Sequence, residues 1–520
     1  MRLHVIGAAA LALLLSQPIG AVAAPDRTTR PSVPSARELL AFDREVNALL
    51  PGSHVSDSAA CGAQLQRLLG PSARPGFDRL PADTRRRVLR AVIACGEAET
   101  REPEVLALVR RLEPLADDPS LVAAVNAVLI DADLADDKPV PAARRLITVI
   151  DNDPARVSAW WEPYLTPIIT GAASDKPVYR ELLDKLAGVT WTDETSARAA
   201  RNTWALLRAD ERAAAGDLGG AEAALAGADE IDTLLLVAED RAYAPLWAKF
   251  QAAGRFDWRR LAEAELVARR KIAEDNPESL RLAVWVQRRL RLLGRYDEAI
   301  DFGQGLRARM AEEGGFADIE AFGGPSLGEL AFALLDVGRP SEAEGVFKDA
   351  MLVGENGDGG VSQRLDWAAR LNGMGRHGEA LVLLRDLGPA DVSPYGAQWL
   401  GAERACALSK TNPSAAWSYL PQLLFNQSHG VEPLAKALLC LDRTEEAAAL
   451  FIQRLRDPTL KWDALGAARA VRAPPAVGPF QAELLRRRDA MIARPDVQKA
   501  IAEAGRSPEV PLSGTMFGWF

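Results

Sequence analysis

Histidine and cysteine, which supply most protein ligands for zinc and haem iron, are scarce in this chain. The 520 residues include 4 of each, and no two histidines fall at the spacing of a helical metal site. No Gly-rich loop of the phosphate-cradling type occurs either. The sequence therefore predicts no metal ion, cofactor or prosthetic group.

An excess of positive charge and long apolar runs are also lacking. Acidic residues outnumber basic ones by 71 to 62, which gives a net charge of −9, whereas nucleic-acid binding relies on clustered Lys and Arg. Beyond the N-terminus no apolar run reaches the roughly 20 residues that a membrane span needs. We therefore expect neither a nucleic-acid partner nor a membrane span in the mature chain.

The one long apolar stretch lies near the N-terminus, over residues 6–19. Arg2 precedes it, and the small residues at 21–23 then match the pattern of a cleavage site. These features predict a signal peptide over residues 1–24 and a Pro-rich linker over residues 25–34. The mature protein is then expected in a bacterial periplasm or outside the cell. A retained anchor or a buried helix is the alternative interpretation of the same stretch.

Helical periodicity continues along the rest of the chain. Apolar residues recur every three or four positions and almost nowhere alternate as they do in strands. Ser35 and Glu38 have the spacing of a capping box at the start of a first helix, and Pro51-Gly52 should end it. Breakers every 12 to 20 residues leave room for helices of about 10 to 15 residues. The sequence predicts an all-α fold.

A turn motif of the form Gly-Arg-x-x-Glu-Ala recurs in the second half of the chain. Clear copies lie at residues 294–299, 338–343 and 375–380, and degenerate ones at 216–221, 411–416 and 442–447. From the copy at 294 onward, successive copies follow at intervals that average about 37 residues, which is the length of a helical hairpin. Glycine lets the chain reverse, and the small alanine lets the two helices approach closely.

These hairpins resemble the tetratricopeptide repeat family, whose unit is two antiparallel helices. The best copy carries the family's small and large residue types in order: Leu327, Leu330, Ala331, Leu334, Gly338, Ala343, Phe347 and Ala350. The resemblance is good over about residues 280–456 and implies a right-handed α/α superhelix. We expect irregular helical repeats over 35–200, repeats of this type over 201–460, closing helices over 461–505 and an apolar, aromatic tail over 506–520.

The resemblance also implies a partner-binding groove. In the family, certain positions of each first helix face a concave surface that holds an extended protein segment. Carried over to this chain, those positions are Arg281, Arg288, Arg291, Phe332, Asp336, Asn372, His429 and Lys436. Arginine suits a carboxylate because its planar fork donates two hydrogen bonds at once. The alternative is a basic face whose arginines are paired with nearby acids of the same chain.

The four cysteines fall into two pairs, each 34 residues apart: Cys61 with Cys95, and Cys406 with Cys440. In an oxidising compartment we expect two local disulfides. The second would join the first helices of two neighbouring repeats. The alternative is four separately buried thiols.

Catalytic motifs are not evident. Residues 324–328 match the G-x-S-x-G pattern, but no strand precedes them, and Ser326 is expected to cap a helix. The 12 tryptophans leave open a carbohydrate-active α/α-toroid enzyme, for which Trp161-Glu162 and Asp366-Trp367 would be candidate neighbours. Tryptophan more commonly fills gaps between helices. We therefore expect a non-catalytic scaffold or adaptor of the cell envelope.

Overall fold

A computed structural model describes residues 34–50, 58–95, 103–160, 162–312, 314–353 and 360–513. The predicted signal peptide, nearly all of the linker, and residues 514–520 of the predicted tail lie outside the described residues. The described chain forms two compact units, and the boundary between them in the sequence falls between Glu211 and Arg212. Both units are built almost entirely from helices, which confirms the all-α prediction.

The first unit contains the helices up to the unit boundary, which falls inside α11. They are α1 (Ala36–Leu49), α2 (Ser58–Ser72), α3 (Ala82–Ala94), α4 (Pro103–Leu112), α5 (Pro119–Ala135), α6 (Pro139–Asn152), α7 (Pro154–Val157), α8 (Glu162–Ala172), α9 (Lys176–Leu186), α10 (Glu194–Arg201) and α11 (Thr203–Ala214). Two apolar cores hold this unit together, one around α2 to α5 and one around α5 to α9. Neighbouring helices pack in sequence order, most extensively α5 against α6.

The second unit contains the remaining helices and two short strands. They are α12 (Leu218–Ala224), α13 (Ile231–Glu239), α14 (Ala244–Ala252), α15 (Trp258–Asp275), α16 (Leu280–Leu292), α17 (Tyr296–Met310), α18 (Ile319–Asp336), α19 (Pro340–Val353), α20 (Val361–Gly373), α21 (His377–Leu384), α22 (Pro394–Thr411), α23 (Pro413–Ala416), α24 (Leu420–Phe425), α25 (Val431–Cys440), α26 (Thr444–Arg456), α27 (Lys461–Ala467), β1 (Ala470–Arg472), α28 (Pro479–Ile492), α29 (Pro495–Ala504) and β2 (Glu509–Ser513).

The capping box predicted at the first helix is present. The backbone N–H of Glu38 donates to the Ser35 hydroxyl at 3.3 Å, and the backbone N–H of Ser35 donates to the Glu38 carboxylate at 2.6 Å. These two bonds satisfy donors that the helix itself leaves without acceptors. The helix ends at Leu49, and the predicted stop at Pro51-Gly52 lies outside the described residues.

The recurring motif forms the turn between two helices of a hairpin. Its glycines lie in the left-handed region, with φ of 71° at Gly294, 78° at Gly338 and 79° at Gly375. In each turn the backbone N–H of the following arginine bonds a carbonyl five residues earlier, as Arg339 does to Leu334 at 2.9 Å. This is the Schellman ending, for which glycine is favoured because it carries no Cβ.

The rest of the motif fixes the start of the second helix. The motif arginine pairs with the glutamate three positions on, as in Arg339 with Glu342 at 2.6 Å. The last residue of each copy is a buried alanine: Ala221, Ala299, Ala343, Ala380, Ala416 and Ala447. The sequence pattern thus encodes a reversal, an exposed ion pair and a close helix contact.

Five helices of the second unit, here called the first helices, precede such turns and contact one another in sequence order. They are α16, α18, α20, α22 and α25, and the helices that follow α16, α18 and α20 pack against the next first helix along the chain. One apolar core runs from Leu266 to Ala407 between these layers, and a second follows from Ala402 to Ile501. The arrangement is that of helical repeats.

The C-terminal part of the second unit departs from the expected closing helices. It returns to helices near the beginning of the unit: α27 contacts α13, and β2 contacts α15 and α16. The two strands pair in parallel, with Val471 opposite Val510. A repeat array in which each hairpin contacts only its neighbours would lack these contacts. The described part of the predicted tail therefore packs against the beginning of the unit.

Buried polar contacts hold this returning segment in place. The guanidinium of Arg469 donates two hydrogen bonds to the carboxylate of Glu239, at 2.5 and 2.9 Å, and Glu239 is 0 % exposed. The indole N–H of Trp462 donates to Asp240 at 2.6 Å, and Arg506 donates to the carbonyl oxygen of Ala238. The segment is therefore fixed by charge as well as by apolar packing.

The two predicted disulfides have different outcomes. Cys406 on α22 and Cys440 on α25 are bonded, with their Cα atoms 5.0 Å apart, which confirms that neighbouring first helices are joined. Cys61 and Cys95 are not bonded to each other, so that prediction is wrong for this structure. The Sγ of Cys95, at the end of α3, instead faces the backbone carbonyl oxygen of Cys61 at 3.8 Å.

Reduction of the Cys406–Cys440 bond is expected to lower the free energy of unfolding of the second unit by about 2 to 4 kcal/mol, because the bridge restricts the unfolded chain. Denaturant unfolding with and without a thiol reductant measures the change. The double variant Cys406→Ala/Cys440→Ala is the control, since reductant should leave its stability unchanged. An equal response of the two proteins to reductant would contradict the prediction.

Ser326 was expected to cap a helix, but it lies within one. Helix α18 begins earlier, at Ile319, and Ser326 lies buried within it, where its hydroxyl donates to the Gln287 side chain at 3.2 Å. The predicted start of the helix lies too late in the sequence, because a proline such as Pro325 usually occurs in the first turn of a helix.

Candidate binding face

The first helices place two of the predicted groove arginines in ion pairs with their neighbour. Arg291 is 2 % exposed, and its guanidinium donates to Glu329 at 2.5 Å and to Asp336 at 3.1 and 3.2 Å. Arg288, whose side chain is 35 % exposed, donates to the same Glu329 at 2.8 Å. These two arginines therefore pair with acids of the same chain, which was the alternative to a role in binding a partner. Asp336, also predicted for the groove, is one of those acids.

Arg291 stays charged in this environment. Its burial opposes the charge, but the carboxylates of Glu329 and Asp336 outweigh that effect and hold the pKa of Arg291 above its ordinary value. The same contacts keep the pKa of Glu329 below its ordinary value despite the loss of hydration. The triad is a fixed connection between α16 and α18.

Two further groove residues meet at a second buried acid. The Lys436 ammonium donates to Glu403 at 2.6 Å, and the Asn372 amide donates to the same carboxylate at 3.0 Å. All three side chains are buried. Glu403 on α22 therefore joins the helices on either side of it, α20 and α25.

The remaining predicted groove residues are more accessible. Arg281 is half-buried, and its guanidinium lies 5.2 Å from the centre of the Trp285 ring. Phe332 is also half-buried. His429 is exposed in a short turn before α25, so it is not on a first helix as expected.

A column of corresponding positions, one on each of four first helices, connects these contacts and lies outside the predicted groove positions. Trp285, Glu329 and Asp366 each lie nine residues before the glycine of their motif, and Glu403 follows Asp366 by 37 positions. An alignment of the repeats on this column, as well as on the turns, identifies the acids Glu329, Asp366 and Glu403. Glu329 and Glu403 each have cationic partners. Asp366 has no hydrogen bond or ion pair within the described part of the chain.

The carboxyl group of Asp366 is difficult to ionise. The residue is exposed to solvent, yet the surrounding protein displaces much of the hydration of its carboxyl group. This desolvation is the main cause that raises the pKa of Asp366 to about 6. Arg370 opposes the shift, and the negative charges of Glu329 and Glu403 add to it.

Arg370, one helical turn after Asp366, likewise forms no ion pair with a described residue. Its guanidinium lies 4.5 Å from the centre of the Phe332 ring, but among the described residues no carboxylate pairs with it. Desolvation lowers the pKa of Arg370, and nearby acids only partly oppose this. Arginine nevertheless remains a cation at any pH that the folded protein experiences.

Half-buried aromatic rings on three first helices each carry a cation on one face. Trp285 on α16 has Arg269 and Arg281 at 4.9 and 5.2 Å, and Trp399 on α22 has Lys436 at 5.6 Å. Phe332 on α18 lies between Arg291 and Arg370, at 5.1 and 4.5 Å. We call these five helices, with their rings and charges, the first-helix face.

Two of the residues considered for a sugar-processing enzyme, Trp367 and Glu162, are engaged in contacts within their own unit. Trp367 is 4 % exposed and stacks on Phe347 with ring centres 4.8 Å apart, so it is part of the core. Glu162 accepts a hydrogen bond from Thr166 of its own helix at 2.6 Å. Trp161 lies outside the described residues.

Comparisons with known proteins do not assign the chain to a family. No protein-family model matches it, and no curated protein matches it. The described residues contain no group of three or more His, Cys, Asp or Glu placed to hold a metal ion. No helix within the described ranges is both long and apolar enough to cross a bilayer.

Replacement of Asp366 with Asn is expected to stabilise the protein at pH 8 by about 1 kcal/mol, a value reduced for the exposure of the side chain. With the pKa of Asp366 raised to about 6, the folded state holds, between about pH 4 and pH 6, a proton that the unfolded state has lost. The stability of the parent protein therefore falls as the pH rises over this interval, and the variant escapes this loss. Denaturant unfolding at pH 5 and pH 8 measures the difference.

Asp301→Asn is the matched control, because Asp301 is an exposed aspartate on α17, which is not one of the first helices. It should change stability equally at both pH values. If Asp366→Asn behaves as the control does, the carboxyl group of Asp366 is fully hydrated.

Proposed function

We propose that this protein is a non-catalytic scaffold or adaptor of the bacterial cell envelope that binds a protein partner on its first-helix face. In this proposal the repeats belong to the tetratricopeptide type, and the first helices form one wall of a right-handed superhelix. The single observation that carries the proposal is the row of half-buried rings at Trp285, Phe332 and Trp399, each with a cation on its face. Aromatic residues and arginine are the types enriched where binding energy concentrates.

Rigidity of the face supports the same function. The Arg291–Glu329 and Lys436–Glu403 pairs and the Cys406–Cys440 bond each join neighbouring first helices. A surface whose side chains are already fixed loses little conformational entropy when a partner binds. The buried ion pairs therefore serve the face by holding it in place, while the rings make the contacts.

Export from the cytoplasm is the second part of the proposal. The N-terminal sequence has the features of a cleaved signal peptide. The Cys406–Cys440 disulfide is of the kind that persists in an oxidising compartment. A periplasmic or secreted protein satisfies both observations.

Site-specific crosslinking in cells tests the proposal. A photoreactive phenylalanine derivative in place of Trp285 should form an adduct of defined mass with a partner. The matched control is the same substitution at Trp417, another accessible ring with a cation on its face, Arg443 at 4.9 Å, but outside the first helices. An adduct at position 285 and none at 417 is expected. No adduct at 285, or the same adduct at both positions, would refute binding on this face.

A further inference from the structure

Several charges on the first-helix face are paired between neighbouring helices. Arg288 and Arg291 share Glu329, and Lys436 is bonded to Glu403. Asp366 and Arg370 have no such partners among the described residues. Both belong to α20, the central helix of the five, so these two charges lie in the middle of the face.

Asp366 and Arg370 do not neutralise each other, although residues four apart on a helix lie on the same side. Their side chains form no ion pair, because the guanidinium of Arg370 is placed over the Phe332 ring at 4.5 Å. Each therefore presents its charge separately. An aspartate with the following arginine at this spacing normally gains from pairing, so the open arrangement leaves both groups available to another molecule.

The surroundings define what each group would accept. Asp366 lies between positions 329 and 403 on the adjacent helices, whose acids are already paired with Arg288, Arg291 and Lys436. The carboxylate of Asp366 is therefore the charge that a cation would meet there. Arg370 offers N–H donors in a planar fork, which matches a carboxylate. The face thus accepts one cation and one anion, side by side.

The spacing relates these two charges to a peptide. Four residues of an α-helix rise about 6 Å, and two residues of an extended chain span about 6.6 Å, with their side chains on the same side. We propose that the partner presents an extended segment with a basic and an acidic side chain two residues apart, the basic one on Asp366 and the acidic one on Arg370. This inference rests on the proposed function, because it names the chemistry of the partner that the face binds.

Two synthetic peptides of identical composition test the inference against the purified full chain. In one, Lys and Glu alternate with a serine between them, so that opposite charges are two residues apart. In the other, the same lysines and glutamates form separate blocks. Fluorescence anisotropy should show about tenfold tighter binding of the alternating peptide, as expected for roughly 1.4 kcal/mol from two added ion pairs.

Single variants show whether the preference arises at these residues. Asp366→Asn and Arg370→Gln should each remove most of the preference for the alternating peptide, whereas Asp301→Asn should retain it. Equal binding of both peptides, binding of neither, or a preference that persists in both variants would overturn the inference. Crosslinking at Trp285 together with any of these results would refute the charge pattern alone, whereas failed crosslinking would refute the binding face itself.

Discussion

Replacement of Arg291 with Met is expected to lower the free energy of unfolding by about 3 to 5 kcal/mol. The guanidinium is buried and shared by Glu329 and Asp336, both of which are buried as well. Its loss removes from both carboxylates the buried cation that compensates their desolvation, although Glu329 keeps its bond to Arg288. Denaturant unfolding at neutral pH, followed by circular dichroism, measures the change.

Arg288→Gln is the matched control, since Arg288 lies on the same helix and bonds the same Glu329 but is partly exposed. Its effect should remain below about 1 kcal/mol. Adding Glu329→Gln to Arg291→Met should restore part of the lost stability, because the carboxylate of Glu329, which has lost Arg291, is then replaced by a neutral amide. Equal effects of Arg291→Met and Arg288→Gln would contradict the assignment of Arg291 as a buried connection.

Replacement of Arg469 with Met is expected to be about as severe, again about 3 to 5 kcal/mol, because it strips Glu239 of its hydrogen-bonded cation. The same variant should release the returning C-terminal segment. Limited proteolysis followed by mass spectrometry should then find new cleavage within residues 461–513. Lys499→Gln, an exposed change on α29, should leave both stability and cleavage as they are.

A second variant tests the same docking without stranding a charge. A Cβ atom at Gly505 would collide with the backbone carbonyl oxygen of Glu239. Gly505→Ala is therefore expected to destabilise the protein and to expose the same segment to protease. If Arg469→Met and Gly505→Ala both leave the segment resistant to protease, its contacts with α13 contribute little to holding it.

The hairpins were predictable because their determinants are local. A left-handed residue such as Gly294, the arginine after it and the capping box at Ser35 each act over three to five residues, and the sequence displays them directly. The returning segment was not predictable in the same way. Strand β2 pairs with β1 across almost forty residues, and only three of its five residues are buried: Val510, Leu512 and Ser513. So short a pattern does not identify its partner.

The candidate site was predicted only in part. The resemblance placed Arg281 and Phe332 where the structure leaves them accessible, but it could not indicate that Arg291 and Lys436 are used inside the protein. Ion pairing depends on which side chains of adjacent helices meet, and this requires the helix register across repeats. The column that ends at Glu403 carries that information, yet it becomes visible only after the turns have been aligned.

The unmatched charge of Asp366 also has a consequence for stability. A carboxyl group that loses hydration without gaining a cation destabilises the folded state at neutral pH. Residues that reduce stability in this way are typical of functional positions, where a ligand supplies the missing interaction. A bound partner with a basic side chain should therefore lower the pKa of Asp366 toward its ordinary value.

The most direct test of the central claim, that Asp366 is the unmatched acid of the first-helix face, is a titration of its carboxyl carbon by NMR. Protein labelled at aspartate provides the spectrum, and the Asp366→Asn variant identifies the resonance. The account predicts a pKa of about 6 in the absence of a partner. A pKa at or below the ordinary value of about 3.9 would show that water or a cation of the protein already satisfies this group, and would contradict the account.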